Sequence, residues 1–197
     1  ILSDQEIFQS CTDTIIRQVE GIGKMVDEFS SFARMPQPIL KPIDLITICS
    51  QITSLEKARF PEIKYDFNIP RGEVRLYGDQ QQIGQVLTNI LKNAAESIDS
   101  RLSEDVDSRT SGRICLDIEV SKDSVKIHIT DNGIGLPSQL LDRITEPYVT
   151  TRQKGTGLGL AIAKKIMEDH NGDLILVNNE GNGAKATMLF NKTEFPS

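Results

Sequence analysis

The sequence predicts an α+β domain, with helices on one face of a mostly antiparallel sheet, preceded by one long bundle helix. Residues 5–34 carry an apolar repeat in alternating steps of four and three, which is typical of helical bundles. Prolines at positions 36, 38 and 42 then end that helix. Beyond them, amphipathic helical segments and short strands of period two follow one another, which is the pattern of an α+β fold.

The first segment, residues 1–35, has a narrow apolar stripe that favours association with other helices over packing on its own domain. Gly21 and Gly23 each lower helix propensity by about 1 kcal/mol relative to Ala, so packing must supply the stability. A stiff linker is expected over residues 36–42. The stripe consists of Phe8, Thr12, Ile15, Val19, Ile22, Val26, Phe29 and Ala33.

The second segment, residues 43–197, is expected to form the folded domain. Asp79 followed by Gln82 resembles a capping box at the start of a strong central helix. The polar residues 99–112 predict a loop, and the glycine-rich residues 131–155 predict irregular structure. Helices are predicted over 44–58, 79–98 and 156–170, and strands over 63–69, 74–77, 114–120, 125–130, 174–177 and 184–190.

Composition limits the classes of function. The net charge of -6 leaves no basic excess to neutralise phosphates, which excludes nucleic acid as the main partner. Cys11, Cys49 and Cys115 have no metal-ligand or disulfide spacing, which favours reduced thiols in the cytoplasm. No signal peptide and no apolar run of roughly 18 residues is present. We expect a cytoplasmic fragment of a longer protein, with any membrane anchor upstream.

Two asparagines on the central helix are the first candidates for chemistry. Asn89 and Asn93 are four residues apart, on the flank of the apolar face, with Glu96 close to both. Asn is a poor residue for mid-helix positions because its amide competes with the backbone. A solvated polar face is one explanation. The other is that the amide oxygens face a cleft, where a hard cation such as Mg²⁺ is bound jointly with phosphates.

A strand leads directly into Asp131-Asn132-Gly133-Ile134-Gly135. A hairpin turn is one interpretation, because Asn-Gly is a strong turn signal, but no strand follows at once. Gly133 and Gly135 would let a ligand approach the backbone closely. Asp131, at the strand end, could accept a hydrogen bond from an exocyclic amine.

A second glycine cluster, residues 154–160, precedes a helix. Glycines before a helix N-terminus are typical of anion sites, where free N–H groups and the helix dipole face a phosphate. The spacing is neither that of a Walker A loop nor that of a Rossmann fingerprint. Arg152 and Lys154 add cationic donors suited to a triphosphate.

Together and in this order, these segments resemble the conserved boxes of sensor histidine kinases, in the ATPase superfamily that includes DNA gyrase B, Hsp90 and MutL. The end of the first helix, residues 25–36, is similar to that of NtrY-type kinases, with NtrB-type kinases a looser match. The resembling segments are 88–94 for the N box, 131–135 and 155–160 for the two G boxes, 146–151 for the F box, and 183–187 for the final Gly-x-x-Thr element.

The resemblance implies a Bergerat-type ATP-binding fold, which is a two-layer α/β sandwich with a mixed sheet under three helices. ATP would lie between the Asn helix and a mobile lid over about residues 137–154. Asn93 would be the Mg²⁺ ligand, and Asn89 would face the phosphates. Glu96 stands where many family members have a basic residue, so Lys92, Arg152 or Lys154 would supply that phosphate contact.

The resemblance also implies roles for the glycine segments. Asp131 would bind the adenine amine, and Thr187 would support the same end of the base. Gly133 and Gly135 would shape the base pocket. The phosphates would be lined by Gly155, Thr156, Gly157, Leu158 and Gly159.

The function implied is a two-component sensor histidine kinase, with Asn89 and Lys92 as its catalytic residues in this chain. The γ-phosphate of ATP would pass to a histidine on a hairpin helix absent from this chain, of which residues 1–35 resemble the second helix. It would then pass to an aspartate in the receiver domain of an NtrX-like response regulator. The complete protein would be a homodimer in the bacterial inner membrane.

Neither histidine of this chain lies in the family's phosphoacceptor motif, and structural roles are expected for His128 and His170. The chain alone is therefore expected to bind ATP and Mg²⁺ without phosphorylating itself. Three other functions stay open: an ATP-dependent conformational switch, a nucleotide-sensing dimerisation module without kinase activity, and a kinase acting on serine in a partner protein. A switch would need a carboxylate near Asn89 to activate water.

Overall fold

The computed structural model describes residues 4–70, 72–104, 111–152 and 155–192. Lys154 and part of the predicted 99–112 loop lie outside these ranges. The described elements, in chain order, are α1 (Asp4–Ala33), β1 (Lys41–Asp44), α2 (Leu45–Arg59), β2 (Lys64–Asn68), β3 (Arg75–Gly78), α3 (Gln80–Glu104), β4 (Arg113–Val120), β5 (Ser124–Asp131), a 3₁₀ helix (Ser138–Arg143), α4 (Gly159–Asp169), β6 (Gly172–Asn178) and β7 (Ala184–Asn191).

A five-stranded mixed sheet, in the order β2-β4-β5-β7-β6, forms one layer of the domain. β2 runs parallel to β4, and the other pairs are antiparallel. Helices α2, α3 and α4 pack on one face of this sheet. Alternate residues of β5, from Val125 through Ile127 and Ile129 to Asp131, are buried on that face. The predicted α+β sandwich of a mixed sheet under three helices is confirmed.

Helix α3 begins where the sequence predicts but ends later. The carboxylate of Asp79 accepts hydrogen bonds from the N–H groups of Gln81 at 2.9 Å and Gln82 at 3.1 Å, as expected for a cap. The Gln82 side chain does not complete a capping box, because it donates to the Pro36 carbonyl at 3.0 Å. The helix runs to Glu104 instead of stopping near residue 98, and Leu102 packs against the core.

The segment after the prolines is more ordered than a linker. Lys41–Asp44 forms β1, which pairs antiparallel with β3 in a separate two-stranded sheet. The predicted linker to residue 42 therefore ends in a strand, since proline is tolerated in an edge strand. The Ile39 N–H donates to Asp79 at 2.9 Å. Asp44 then caps α2 through the N–H groups of Ile46 and Thr47.

Helix α1 is a single continuous helix whose apolar stripe is exposed. Phe8 is 72% exposed and Val19 is 62% exposed. At its C-terminal end, Phe32 packs against the domain core, and the ring of Phe29 lies 6.5 Å from that of Tyr148. Within the described residues, no helix is both long and apolar enough to cross a membrane.

His170 has the structural role that the sequence predicts. It follows α4 directly and is buried. Its Nε2 accepts the Asp79 N–H at 3.0 Å, and its Nδ1 lies 2.8 Å from the Ile166 carbonyl oxygen. Because Nε2 accepts, Nδ1 carries the proton and donates. The imidazole therefore joins the end of α4 to the start of α3.

Candidate functional site

One side of helix α3 brings the sequence motifs together. Asn89, Asn93 and Ser97 are four residues apart, so they lie in line along the helix. The Asn89 amide donates to the Gly159 carbonyl at 3.0 Å. The Asn93 side-chain oxygen accepts from Arg152 at 2.9 Å. The Ser97 carbonyl accepts the Ile134 N–H at 3.3 Å. The two glycine segments and the Arg152 segment thus meet on a single rigid helix.

A cluster of charged groups surrounds Asn93. Arg152 donates through Nη1 to Glu96 as well as to the Asn93 side chain, and through Nη2 to the Asn93 carbonyl at 2.9 Å. The Lys92 ammonium lies 3.9 Å from the other Glu96 oxygen. Two of the predicted cationic residues are therefore held beside the predicted metal ligand. Glu96 holds them there, although the sequence indicated only that it departs from the family pattern.

Asp131 is a buried carboxylate at the C-terminal end of β5, only 8% exposed. Its Oδ1 accepts the N–H groups of Gly133 at 2.8 Å and Ala184 at 3.3 Å. Burial raises the pKa of Asp131, while these two N–H donors and the positive charge of Arg152 partly offset the rise. A carboxylate at this depth can accept a hydrogen bond from an amine without strong competition from water.

Gly133 and Gly135 also have a packing role that the sequence did not predict. A Cβ on Gly133 would lie 2.7 Å from the Ser97 Cβ, and a Cβ on Gly135 would lie 2.9 Å from the Asn178 side-chain oxygen. Gly135 also has a φ of 80°, which favours glycine. The two glycines therefore let the loop after β5 pack closely on α3 and on the β6–β7 connection. The space on the Cβ side of each glycine is therefore filled by the protein, and their predicted role in shaping a base pocket stays a prediction.

The second glycine cluster leads into α4, which begins at Gly159 and not at residue 156 as predicted. Gly157 has a φ of 70°, and a Cβ there would lie 2.7 Å from the Tyr148 carbonyl carbon. Gly159 differs from Gly157 in the space beside it. A Cβ added at Gly159 would lie 3.8 Å from the nearest atom, in the Asn89 side chain, which is an ordinary van der Waals contact.

The first turn of α4 presents backbone N–H groups that can bind an anion. Among the described residues, the buried N-cap Leu158 makes no side-chain hydrogen bond to the first turn. Thr156 Oγ1 accepts the Leu158 N–H at 3.4 Å. Gly155 lies one turn earlier, where its N–H donates to the Arg152 carbonyl at 3.2 Å. The N–H groups of the first helical turn are therefore candidates for binding an anion.

Thr187 is not brought together with Asp131, so its predicted place at the adenine end is corrected. Thr187 pairs with His128 across β5 and β7, and its hydroxyl lies 2.9 Å from the His128 ring. Directly opposed residues share a face, and successive residues alternate faces, so Thr187 and Asp131 lie on opposite faces of the sheet. Ala184 is the β7 residue beside Asp131. His128 has a structural role, as predicted.

The residues present fit a magnesium–nucleotide complex. Asn93 offers a neutral amide oxygen, which is a ligand type that Mg²⁺ accepts when phosphate oxygens and waters complete its shell. Lys92 and Arg152 both lie beside Glu96, and Arg152 also contacts Asn93. These two side chains carry the positive charge that a triphosphate requires. Lys154, predicted to join them, lies outside the described residues.

Two contacts of this site were not predicted. Ser97 supports the Gly133 loop, and the i+4 spacing from Asn93 was the signal that could have identified it. Asn179 donates to the Asp131 carbonyl at 3.1 Å and also to the Ala184 carbonyl at 3.1 Å. No local signal marked Asn179, because its role depends on the pairing of distant strands.

Comparison with known proteins shows the family of this chain. Residues 78–194 match the family described as histidine kinase-, DNA gyrase B-, and HSP90-like ATPase. The chain is 49% identical over 185 residues to the nitrogen regulation protein NtrY of Azorhizobium caulinodans, covering 93% of this chain and 24% of that protein. The chain therefore spans about a quarter of the length of that relative.

Solved structures show the same fold. The nucleotide-free catalytic domain of the histidine kinase ThkA matches with a TM-score of 0.65 and 30% identity, covering 78% of this chain and 96% of that one. ThkA in complex with the response regulator TrrA matches with a TM-score of 0.73 and 24% identity, covering 98% of this chain and 53% of that one. The chain belongs to the histidine kinase-, DNA gyrase B- and HSP90-like ATPase family.

Proposed function

We propose that this chain binds ATP with Mg²⁺ and forms the catalytic part of an NtrY-like sensor histidine kinase. The observation that carries the proposal is the line of Asn89, Asn93 and Ser97 on α3. Asn89 contacts the glycine segment proposed to bind the phosphates, Asn93 contacts Arg152, and Ser97 contacts the loop after Asp131, which is proposed to bind the base. Phosphoryl transfer needs mainly positioning and charge neutralisation, which a rigid helix with nearby cations can supply.

Each residue has a proposed role. The Asn93 side-chain oxygen holds Mg²⁺, which when bound neutralises phosphate charge. Asn89 and the first turn of α4 orient the phosphates, with Gly155, Thr156, Gly157, Leu158 and Gly159 along the path. Lys92, Arg152 and Lys154 supply the remaining positive charge. Asp131 accepts the exocyclic amine of adenine.

The acceptor of the phosphate is proposed to be a histidine on a separate hairpin helix. The exposed stripe of α1 supports this proposal, since a 30-residue helix with apolar groups in solvent is suited to a bundle. In the complete protein this bundle would also make a homodimer. The response regulator bound to ThkA is the precedent for a receiver domain as the next acceptor, here an NtrX-like one. A membrane-anchored sensor region is proposed for the complete protein.

The test is phosphotransfer in trans. The chain is mixed with radiolabelled ATP, Mg²⁺ and a separate polypeptide that supplies the missing hairpin helix. The proposal expects acid-labile label on that polypeptide, loss of label with Asn93→Ala, and no loss with Asn68→Ala. Asn68 is a matched control because its amide bonds to Asp117 on the other face of the sheet. Absence of label on a folded, dimeric acceptor would contradict the kinase proposal.

An ATP-driven switch remains a weaker candidate. Such a switch needs a general base beside the terminal phosphate. Asn89 is an amide whose nitrogen donates to Gly159, and an amide is not a base. The Glu96 carboxylate is engaged by Arg152 and lies near Lys92. Rapid ATP hydrolysis by the isolated chain would favour the switch over the kinase.

A further inference from the structure

The side-chain oxygen of Asn93 is engaged by a cation of the protein itself. Arg152 Nη1 donates to it at 2.9 Å, and Arg152 Nη2 donates to the Asn93 carbonyl at 2.9 Å. A guanidinium has donors only and stays charged at all ordinary pH values. It therefore stands where a metal cation would approach the same oxygen.

The guanidinium and a divalent cation cannot both use this oxygen at low cost. Mg²⁺ binds oxygen at about 2.1 Å, so its centre would lie within about 5 Å of the Arg152 nitrogen. At that distance, in a partly buried site, like charges repel strongly. Arg152 is 35% exposed and Glu96 is 37% exposed, so water only partly screens the charges.

Glu96 fixes the arginine in this position. Its Oε2 accepts from Arg152 Nη1, the same nitrogen that donates to Asn93. Its Oε1 lies 3.9 Å from the Lys92 ammonium, which is one turn earlier on α3. The carboxylate is thus held between two cations and faces the guanidinium from the same helical turn as Asn93.

We infer that Glu96 is a positioning residue that holds Arg152 on Asn93, so that arginine and magnesium compete for one amide oxygen. The inference rests on the proposed function, in which Asn93 is the metal ligand. Entry of the metal–nucleotide complex moves the guanidinium off Asn93. Glu96 keeps it close by, where it faces the phosphates.

The Glu96→Gln variant separates two effects on nucleotide binding. The loss of a negative charge and the release of Arg152 from Asn93 predict opposite changes in the preference for the magnesium complex. Removing a negative charge favours the more highly charged ligand, which is the metal-free nucleotide. Removing the group that holds Arg152 on Asn93 favours the magnesium complex, because only that complex needs the oxygen. The ratio of the two dissociation constants therefore separates the explanations.

The experiment measures the dissociation constant of a non-hydrolysable ATP analogue by calorimetry, with Mg²⁺ and with EDTA. We expect Glu96→Gln to raise the ratio of metal-free to magnesium-bound dissociation constants roughly three- to tenfold, as for loss of a partly exposed charged hydrogen bond. Glu96→Asp, which keeps the charge, should restore most of the original ratio. Glu73→Gln is the matched control, because Glu73 carries the same charge, pairs with Arg75 at 2.8 Å and lies outside the proposed binding site.

The outcomes separate this inference from the proposed function. A ratio that falls or stays constant in Glu96→Gln, while the wild-type chain binds the analogue and Asn93→Ala loses the magnesium effect, overturns the inference alone. A wild-type chain that binds the analogue under neither condition overturns both. Thermal unfolding of each variant checks that the fold is retained.

Discussion

The carboxylate of Asp131 accepts the backbone N–H of Gly133 at 2.8 Å, and this bond closes the turn at the end of β5. The same oxygen accepts the Ala184 N–H from β7. Both partners are backbone groups, so neither requires a charge on the side chain. Burial nevertheless raises the pKa of Asp131, which means that the folded protein disfavours the ionised form. A buried carboxyl group whose ionisation costs stability is typical of a binding site.

Asp131→Asn should therefore keep or raise thermal stability at neutral pH. The amide oxygen can still accept both N–H groups, and the buried charge is gone. Nucleotide affinity should fall about tenfold or more, because the amide nitrogen faces a donor amine. Thermal unfolding and calorimetry on one preparation measure both effects. A variant that unfolds at lower temperature would show that the carboxylate is structural.

The pH dependence follows from the raised pKa. A carboxyl group whose pKa is higher in the folded state stabilises the protein while protonated, and that contribution is lost as pH rises through the folded pKa. The stability of Asp131→Asn relative to wild type should thus increase as pH rises from 3.8, the ordinary value, towards neutrality. Nucleotide affinity of the wild type should decrease as pH falls through the same window. Unfolding curves of both proteins across this range provide the check, and parallel curves would contradict it.

Substitution by alanine should change stability in opposite directions at Gly157 and at Gly159. Gly157→Ala should lower stability by about 1–3 kcal/mol, because φ is positive and the methyl group would meet the Tyr148 backbone. Gly159→Ala should keep or raise stability by about 0.5–1 kcal/mol, since the site is helical and open. Its methyl group would point towards Asn89, so nucleotide affinity should fall. Equal stability losses would show that the two glycines have the same structural role.

Asp79 should contribute to stability through three backbone bonds. Its carboxylate accepts the N–H groups of Ile39, Gln81 and Gln82, so it both caps α3 and attaches the segment after α1. Asp79→Ala should lower the free energy of unfolding by about 2 kcal/mol. Asp142→Ala, on the exposed part of the 3₁₀ helix, is the matched control and should have little effect. Urea unfolding measures the difference in the free energy of unfolding, and the dependence of that free energy on urea concentration should be the same in the variants and the wild type.

The sequence predicted the elements whose signal is local. Alternation identified β4 and β5, and the paired Asn residues identified the side of α3 that contacts Gly159 and Arg152, because one period determines each pattern. β1 was missed because Pro42 reads as a breaker, although an edge strand accepts it. The last turn of α3 is polar in sequence, and Leu102 extends it by packing on the core.

The error at Thr187 has a physical cause, which is strand register. The family resemblance placed Thr187 with Asp131, but the pairing of His128 with Thr187 puts its hydroxyl on the other face of the sheet. A shift of one residue reverses a side chain, and register is set by contacts far apart in the chain. The role of Asn179 could not be predicted for a similar reason, because it depends on contacts with Asp131 and Ala184 on two different strands. The interaction of Arg152 with Glu96 depends on how the segment before α4 folds back onto α3.

Whether this chain binds ATP with Mg²⁺ through Asn93 and Asp131 can be measured by calorimetry of the wild-type chain with a non-hydrolysable ATP analogue, in the presence and absence of Mg²⁺. We expect saturable binding that Mg²⁺ strengthens, loss of the Mg²⁺ effect in Asn93→Ala, and weaker binding under both conditions in Asp131→Asn. Asn68→Ala should match the wild type. Absence of binding heat in the wild type, or Asn93→Ala and Asp131→Asn curves indistinguishable from it, would contradict the account.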